Sequence, residues 1–176
     1  MITVITGGSG SGKSAYAEEQ VLSYGDGKRI YIATMEPFGE EGAKRIARHH
    51  KLREGKGFTT VERYIDLDGL MIPRGSEVLL ECMSNLVANE MFRPDGAGDH
   101  LLEAVVSGVR HLEALADHLC IVTNEISSEA WDYEEQTVLY EKYLGQVNQE
   151  LGRMADEVVE VTCGIPEFIK GGKPLS

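Results

Sequence analysis

The chain has 176 residues, of which 42% are hydrophobic and 26% are charged, and this composition is typical of a globular protein with one substantial core. Its net charge of −12 argues against a general nucleic-acid binder or a protein of anionic membrane surfaces, because both need a basic face. No apolar run reaches the length of about 18 residues that a transmembrane helix needs. Strand-like sequence begins at residue 2, so we expect no signal peptide and a cytoplasmic location. Cys82, Cys120 and Cys163 lack metal-ligand spacing, and we expect them to be reduced core thiols.

The first distinctive stretch follows an apolar, strand-like start and has the pattern of a phosphate-binding loop. It reads Gly7-Gly8-Ser9-Gly10-Ser11-Gly12-Lys13-Ser14. In such a loop the backbone N–H groups and the start of the next helix bind a phosphate group. Lys13 would contact the β- and γ-phosphates, and the Ser14 hydroxyl would coordinate Mg²⁺. A flexible Gly/Ser turn is the alternative, but the strand pattern before the loop and the helix pattern after it argue against it.

Beyond the loop, strand-like and helix-like stretches alternate along the chain. The predicted strands are residues 2–5, 29–34, 77–81, 119–123 and 157–162. The predicted helices are residues 13–23, 39–53, 99–118 and 134–154. Most strands are continuous apolar runs, as expected for a parallel sheet that is covered on both faces. We therefore predict an α/β, P-loop NTPase-like (RecA-like) three-layer sandwich with a mainly parallel sheet, as a single domain of residues 1–176 with a flexible tail at 170–176.

Glu81 follows the apolar residues of the third predicted strand. Phosphate-loop enzymes hold a carboxylate for Mg²⁺ at the end of such a strand, directly or through water. Glu81 is therefore a candidate for the metal and nucleotide site. A carboxylate that caps the following segment is the alternative.

The stretch of residues 44–53 is basic in an otherwise acidic chain. If it is helical, Arg45, His49 and Arg53 share one face, while His50 falls beside apolar residues. A histidine among arginines favours its neutral form, which is the nucleophilic one. A solvated basic helix face is the simpler interpretation of this stretch, and the residues alone leave both interpretations open.

Six segments taken in order resemble one family, the bifunctional adenosylcobinamide kinase/adenosylcobinamide-phosphate guanylyltransferases of cobalamin biosynthesis. They are the phosphate loop, Tyr31-Ile32-Ala33-Thr34, Arg45-Ile46-Ala47-Arg48-His49, Leu79-Leu80-Glu81-Cys82, Val122-Thr123-Asn124-Glu125 and Val147-Asn148-Gln149. The resemblance extends from residue 2 to about residue 165. Only the phosphate loop is distinctive by itself, and the ordered combination makes the match specific.

The resemblance implies two reactions on one scaffold. The first would transfer the γ-phosphoryl group of ATP or GTP to adenosylcobinamide. The second would transfer GMP from GTP to adenosylcobinamide phosphate through a guanylylated histidine, and would release pyrophosphate. The Arg-Ile-x-x-His spacing places this histidine at His49, with His50 as the alternative. The resemblance also implies a homotrimer. The phosphate loop itself predicts Mg²⁺ as cofactor. The net charge and the lack of a long apolar run predict no nucleic-acid partner and no membrane insertion.

Further nucleotide contacts are implied by the same resemblance. They are Ala33, Thr34, Met35, His50, Lys51, Leu52, Arg53 and Glu62. The Glu62 carboxylate could accept hydrogen bonds from guanine N1–H and N2–H₂, which adenine does not offer together. A solvated charge on an edge strand is the alternative for Glu62.

One segment departs from the family pattern. After Glu125 the family usually has a glycine-rich segment, whereas residues 126–135 here are acidic and aromatic and contain no glycine. Glu125 itself is a candidate for orienting the corrinoid or Mg²⁺. This departure leaves open whether both activities are retained. Two further alternatives are a simple small-molecule kinase and a nucleotide-switched binding protein.

Overall fold

The structure, a computed structural model, describes residues 1–25, 27–37, 39–125 and 135–172. Within the helices it describes the backbone alone at positions 41, 43, 45, 48, 49, 50, 52 and 135. The helices are α1 (Lys13–Ser23), α2 (Gly39–Arg53), α3 (Met83–Phe92), α4 (Leu101–Leu115) and α5 (Glu135–Met154), with short 3₁₀ helices at Leu67–Gly69 and Gly98–His100. The strands are β1 (Ile2–Thr6), β2 (Arg29–Ala33), β3 (Phe58–Glu62), β4 (Ser76–Glu81), β5 (Ala116–Val122), β6 (Glu157–Thr162) and β7 (Ile165–Lys170).

One sheet joins the seven strands of the described residues in the order β3-β2-β4-β5-β1-β6-β7. Neighbouring strands are parallel except β6 and β7, which are antiparallel. The register pairs Ala33 with Glu81, Glu81 with Val122, and Ile5 with Val122. Because parallel strands end at the same edge, the loop after β1 and the ends of β2 and β4 meet there.

Helices cover both faces of the sheet. On one face α3, α4 and α5 pack on β1, β2, β4 and β5 around fully buried residues such as Leu80 and Leu112. On the other face α1 packs through Ala17 and Val21 against Ile5 and other strand residues. Burial of apolar area on both faces explains why the strand sequences are continuous rather than alternating. The predicted three-layer sandwich with a mainly parallel sheet is confirmed.

All five predicted strands and all four predicted helices are present, with shifts at their ends. The largest error is the helix predicted for residues 99–118, since α4 ends at Leu115 and β5 begins at Ala116. Strand pairing decides this boundary, because His118 pairs with Glu77 of β4 and Leu119 with Ile2 of β1. The helical spacing of the sequence does not contain that information.

Among the strands and α-helices of the described residues, β3, α3 and β7 were not predicted. Strand β3 is a half-exposed edge strand that lacks a continuous apolar run. Helix α3 follows β4 after the single residue Cys82, and no side chain caps its start, so its boundary has no local signal. All residues of β7 are exposed, which makes its sequence resemble that of a loop.

Strand β7 is formed by a tight hairpin with β6. Cys163 and Gly164 connect the two strands, with φ angles of 52° and 78°. Positive φ at both central residues is the backbone of a type I′ turn, whose twist matches the strands. Of the tail predicted to be flexible, Lys170 belongs to β7, and residues 173–176 lie outside the described residues, so its flexibility stays a prediction.

The three cysteines are free thiols, but they do not all lie in the core as predicted. Cys120 is buried, Cys82 is half-buried, and Cys163 is exposed in the hairpin turn. None of the helices in the described ranges combines the length and the apolar character needed to cross a membrane.

Candidate nucleotide site

The glycine loop between β1 and α1 has a backbone that only small residues allow. Gly7 has a φ of 145°, and a Cβ atom there would lie 2.4 Å from the carbonyl oxygen of Val161 in β6. The loop is held from the other side by a 2.7 Å hydrogen bond from the Gly164 N–H to the Ser11 carbonyl. The β6–β7 hairpin therefore supports the loop directly, and the glycine pattern has a steric reason.

The loop and the start of α1 offer several donors to an anion. The N-cap residue of α1 is Gly12, which has no side chain to cap the helix, and no acidic residue lies in the first turn, so the first-turn N–H groups stay available. The Ser11 hydroxyl is buried and has no hydrogen-bond partner among the described residues. Lys13 is 8% exposed, and its Nζ donates a 2.9 Å hydrogen bond to the Gly8 carbonyl, which keeps the ammonium group over the loop. This arrangement suits a phosphate group.

Glu81 at the end of β4 lies against the phosphate loop. The Ser14 hydroxyl donates to Oε1 of Glu81 at 2.5 Å, and the Tyr31 hydroxyl donates to Oε2 at 3.1 Å. A hydroxyl and a carboxylate are oxygen ligands that Mg²⁺ accepts. The described residues contain no group of three or more His, Cys, Asp or Glu side chains that could hold a metal by themselves. The donor set therefore fits a cation such as Mg²⁺, which takes its other ligands from phosphate and water.

Arg53, the last residue of α2, lies over Tyr31. The guanidinium carbon is 3.3 Å from the centre of the Tyr31 ring, a cation–π contact. Arg53 is only 6% exposed, yet its Nε and Nη1 have no hydrogen-bond partner among the described residues. Burial, and then the nearby Glu81 carboxylate, raise the pKa of Tyr31 far above its ordinary value, so the phenol stays protonated.

A pocket opens beside Glu81 between the ends of β2 and β4 and helix α2. Its lining includes Ala33, Met35, Ile46, Arg53, Glu62 and Asn85. Most of the wall is apolar, and a few polar groups converge on it, as is usual for a small-molecule site. Five predicted site residues (Ala33, Met35, Arg53, Glu62 and Glu81) therefore lie around one pocket next to the phosphate loop.

The other predicted contacts have different environments. Glu62 is exposed and accepts a 2.9 Å hydrogen bond from the Tyr64 hydroxyl. The Thr34 hydroxyl donates to the Cys82 carbonyl at 2.8 Å and accepts from the Cys82 N–H at 2.7 Å. The Thr34 backbone N–H and carbonyl are also bonded, to Glu81 and Asn89. Thr34 thus joins the ends of β2 and β4, and its contact with a nucleotide stays a prediction.

Helix α2 carries the predicted nucleophile. The side chains of Arg45, His49, His50 and Leu52 lie outside the described residues, although their backbone is helical. Lys51 is exposed and lines a second, open cleft at the end of α2 that Arg53 also borders. The segment 126–134, where the sequence departs from the family pattern, is likewise outside the described residues. Glu125 lies just before it and is exposed.

A polar network joins the ends of β4 and β5 to α3 and α5. Asn124 donates through Nδ2 to the Ser84 hydroxyl at 2.7 Å, and Asn148 donates to the Asn124 carbonyl at 3.1 Å. The Thr123 hydroxyl donates to Oδ1 of Asn148 at 2.6 Å. Two of the sequence segments that carried the family resemblance therefore meet in space, where they fix the strand end beside the site.

Sequence reasoning missed several residues of the site. The sequence pattern assigns Tyr31 no role of its own, although its hydroxyl contacts Glu81 and its ring contacts Arg53. Ile46 and Asn85 line the pocket and had no assigned role. A tyrosine within a buried apolar strand was the available signal, because a buried phenol needs a hydrogen-bond partner.

The fold, the glycine loop and the strand-end carboxylate together define a P-loop nucleotide-binding protein. The fold is similar to that of a prototypical ATPase from the type III secretion system of pathogenic bacteria, with a TM-score of 0.55 and 12% identity. That likeness covers 92% of this chain and 51% of the ATPase chain, and at this identity it concerns the fold alone.

The chain belongs to the cobinamide kinase / cobinamide phosphate guanyltransferase family, which its residues 3–169 match. It is 32% identical over 185 residues to the bifunctional adenosylcobalamin biosynthesis protein CobU of Escherichia coli (strain K12). It is 31% identical over 185 residues to the protein of the same name from Salmonella typhimurium (strain LT2). Each match covers 97% of this chain and 100% of the relative. The family resemblance of the sequence segments is thereby confirmed.

Proposed function

We propose that this enzyme phosphorylates adenosylcobinamide and then transfers GMP from GTP to the adenosylcobinamide phosphate, with His49 as the guanylylated nucleophile and the cytoplasm as its location. The family match over nearly the whole chain supports the two activities. One structural observation carries the assignment of the site. Arg53, at the end of the helix that contains the histidines, lies in the same pocket as Glu81, whose carboxylate is bonded to Ser14 of the phosphate loop.

In the kinase step the loop N–H groups and Lys13 hold the β- and γ-phosphates of ATP or GTP. The hydroxyl oxygen of the corrinoid substrate attacks the γ-phosphorus, and the bond from this phosphorus to the β,γ-bridging oxygen breaks. The nucleoside diphosphate leaves, and the hydroxyl proton passes to solvent. Mg²⁺ held at Ser14 and Glu81 would supply positive charge to the phosphate oxygens.

In the guanylyl step a neutral imidazole nitrogen attacks the α-phosphorus of GTP. The bond to the α,β-bridging oxygen breaks, pyrophosphate leaves, and a phosphoramidate remains on the histidine. A phosphate oxygen of adenosylcobinamide phosphate then attacks the same phosphorus, and the P–N bond breaks with its electron pair returning to the ring. Arg53 would donate hydrogen bonds to the phosphate oxygens, on which negative charge develops.

Helical spacing relates the two histidines to the pocket. Ile46 and Arg53 of α2 both line it, and they are seven residues apart, on one helix face. Position 49 is three residues after Ile46 and four residues before Arg53. Position 50 is four residues after Ile46 and three residues before Arg53. Both positions fit this face, so the choice of His49 rests on the Arg-Ile-x-x-His spacing of the family.

Labelling of the protein by GTP tests the proposal directly. Incubation with Mg²⁺ and GTP labelled at the α-phosphate should leave label on the protein that is released by acid and stable to alkali, as expected for a phosphoramidate. GTP labelled at the γ-phosphate should leave none. Absence of label from α-labelled GTP would contradict the guanylyl-histidine, and would favour the simple kinase or the nucleotide-switched binding protein.

Two matched variants locate the nucleophile. His49→Ala should abolish the label and retain phosphorylation of adenosylcobinamide, because the kinase step does not use the histidine. His50→Ala should keep the label. If His50→Ala removes the label and His49→Ala does not, the nucleophile is His50.

Base selection is proposed for Glu62, which lines the pocket from the end of β3. Its carboxylate can accept from both guanine N1–H and N2–H₂, and loss of a bidentate contact to a charged group should weaken binding by about 1–3 kcal/mol. Glu62→Gln should therefore reduce GTP affinity by roughly ten- to a hundredfold. ATP affinity should change by less than about twofold, and Glu103→Gln on the exposed face of α4 serves as control. Equal losses for both nucleotides would rule out base reading by Glu62.

We also propose a homo-oligomer, with the trimer as the state that the family resemblance implies. Exposed apolar side chains on β7, namely Ile165, Phe168 and Ile169, support an association surface at this sheet edge. Sedimentation equilibrium of the full chain should give three times the monomer mass of 19.4 kDa. A monomer at micromolar concentration would contradict the proposal.

A further inference from the structure

Tyr31 connects two groups of the nucleotide site that belong to different elements. It lies in the middle of β2, is 4% exposed, and packs in the core cluster on the α1 side of the sheet. Its hydroxyl reaches Glu81 at the end of β4, and its ring lies under Arg53 at the end of α2.

The hydroxyl contact constrains the Glu81 carboxylate. The Tyr31 hydroxyl donates to Oε2 at 3.1 Å, while Oε1 accepts from Ser14 at 2.5 Å. Because Oε2 is hydrogen-bonded to the core residue Tyr31, the Glu81 carboxylate cannot rotate freely about its Cγ–Cδ bond. Oε1 is therefore kept on the side of Ser14, where the phosphate loop and a cation would lie.

The ring contact constrains Arg53. A buried guanidinium normally makes several hydrogen bonds, yet Nε and Nη1 of Arg53 have no partner in the part of the chain that the structure describes. The face of the Tyr31 ring, 3.3 Å from the guanidinium carbon, supports the charge without using its N–H groups. These donors remain available to an acceptor that enters the pocket, such as a nucleotide phosphate.

We propose that Tyr31 is a positioning residue of the nucleotide site, whose hydroxyl orients Glu81 towards Ser14 and whose ring holds the Arg53 guanidinium ready to bind phosphate. This inference rests on the proposed function only in requiring that the site binds a nucleoside triphosphate with a divalent cation. It does not depend on the histidine that is guanylylated.

Substitutions at Tyr31 can separate the two contacts. Tyr31→Phe removes the hydroxyl and keeps the ring, whereas Tyr31→Leu removes both. Tyr24→Phe is a matched control, because the partly buried Tyr24 hydroxyl contacts Thr3, outside the site.

GTP affinity is measured by calorimetry on the full chain with excess Mg²⁺ and with EDTA. The Mg²⁺ concentration needed for half-maximal GTP binding is determined by titration. Thermal unfolding of each variant is measured first, and titrations are run well below its Tm.

Tyr31→Phe should raise the Mg²⁺ concentration needed for half-maximal binding roughly tenfold, because one hydrogen bond to a charged group is lost. Its GTP affinity in EDTA should change by less than about twofold, since the ring still supports Arg53. Tyr31→Leu should lower the affinity in EDTA as well, by about tenfold. Tyr24→Phe should match the wild type in both conditions.

A merely structural role predicts a different pattern. An equal loss of affinity with and without Mg²⁺ in Tyr31→Phe, or no change in the Mg²⁺ requirement, would overturn the proposal. A second check compares the single variant Glu81→Gln with the double variant that also carries Tyr31→Phe. If Tyr31 acts through Glu81, both should need the same Mg²⁺ concentration for half-maximal binding. A further, additive increase would show that Tyr31 does not act through Glu81.

These results are independent of the guanylyl-transfer assay. If α-labelled GTP leaves no label on the wild type but Tyr31→Phe still shifts the Mg²⁺ requirement, the proposed function fails and the role of Tyr31 stands. If the label forms and Tyr31→Phe leaves the Mg²⁺ requirement unchanged, the proposed function stands and the role of Tyr31 falls.

Discussion

At the scale of single residues, the guanidinium of Arg53 contacts an aromatic face, while two of its nitrogens, Nε and Nη1, find no acceptor among the described residues. Burial of a charge without hydrogen-bond partners lowers the stability of a fold. Such a residue is expected where a ligand supplies the missing acceptors, and strongly constrained polar groups are often found at functional sites. The position of Arg53 in the pocket beside Glu81 agrees with this explanation.

Replacement of Arg53 by methionine should therefore separate stability from binding. Arg53→Met keeps a long side chain over Tyr31 and removes the buried charge, so the free energy of unfolding should stay equal or rise by about 1 kcal/mol. GTP affinity in the presence of Mg²⁺ should fall at least about tenfold, because charge-assisted hydrogen bonds to phosphate are lost. Denaturant unfolding and calorimetry measure the two effects. A clear loss of stability with unchanged GTP affinity would show that Arg53 is a structural residue.

At the scale of elements, close contacts fix how helices lie on the sheet. Helix α4 packs against the 3₁₀ helix Leu67–Gly69 through Gly108, where a Cβ atom would lie 2.4 Å from the Leu67 Cβ. Leu67 is 1% exposed and belongs to the main core cluster. A glycine inside a helix lowers helix propensity, so its presence here has a packing reason. The connection between β3 and β4 is thereby held against the helical layer.

Gly108→Ala should destabilise the protein although alanine is the better helix former. Overpacking costs about 1–3 kcal/mol, and the gain in helix propensity of about 1 kcal/mol offsets only part of it. Because the 2.4 Å contact is far below a normal carbon–carbon distance, we take the upper part of that cost range, about 2–3 kcal/mol. The expected net loss in the free energy of unfolding is then about 1–2 kcal/mol, measured with denaturant. Gly145→Ala in α5 is the matched control. Beyond its chain neighbours and its own helix backbone, no atom of the described residues lies within 4 Å of the added Cβ, so it should raise stability by about 0.5–1 kcal/mol. Similar effects of both substitutions would contradict the packing argument.

At the scale of the whole molecule, tyrosine and cysteine side chains with raised pKa values lie partly or fully buried at several places in the structure. Burial raises the pKa of Tyr24 to about 12 and that of Tyr140 to about 12. It also raises the pKa values of Tyr31 and of the fully buried Cys120 thiol, with Glu81 as the next cause in both. Because the folded pKa of each group lies above its unfolded pKa, the folded chain keeps protons that the unfolded chain releases. Each group therefore contributes stability that is present below its unfolded pKa and is lost as pH rises towards its folded pKa.

The free energy of unfolding should therefore fall as pH increases from about 9 to about 12, because the unfolded chain releases protons that the folded chain retains. The Tm measured by calorimetry or circular dichroism across this range checks the direction. Tyr24→Phe removes one of the ionising groups, so its Tm should fall less steeply between about pH 10 and pH 12 than that of the wild type. Parallel curves for the two proteins would contradict the assignment to Tyr24.

Local sequence signals were sufficient for the phosphate loop and for most of the fold. The spacing of Gly7, Gly12, Lys13 and Ser14 encodes a turn and a helix start within eight residues, and neighbours along the chain decide both. Continuous apolar runs predicted the five strands that have a neighbouring strand on both sides. They did not predict β3 and β7 at the edges, because an edge strand buries too little apolar area to need such a run.

The sequence by itself therefore determined the class of fold, the loop that holds phosphate and, through its resemblance to a family, the reactions to expect. Only the tertiary structure decided which side chains complete the site. Glu81 meets Ser14 across 67 residues and Tyr31 across 50 residues of chain, and these contacts depend on strand order and register. Register results from the packing of the whole sheet, since each strand is positioned by neighbours that are distant in sequence. For that reason the roles of Tyr31 and Arg53 became visible only once β2, β4 and α2 were placed together.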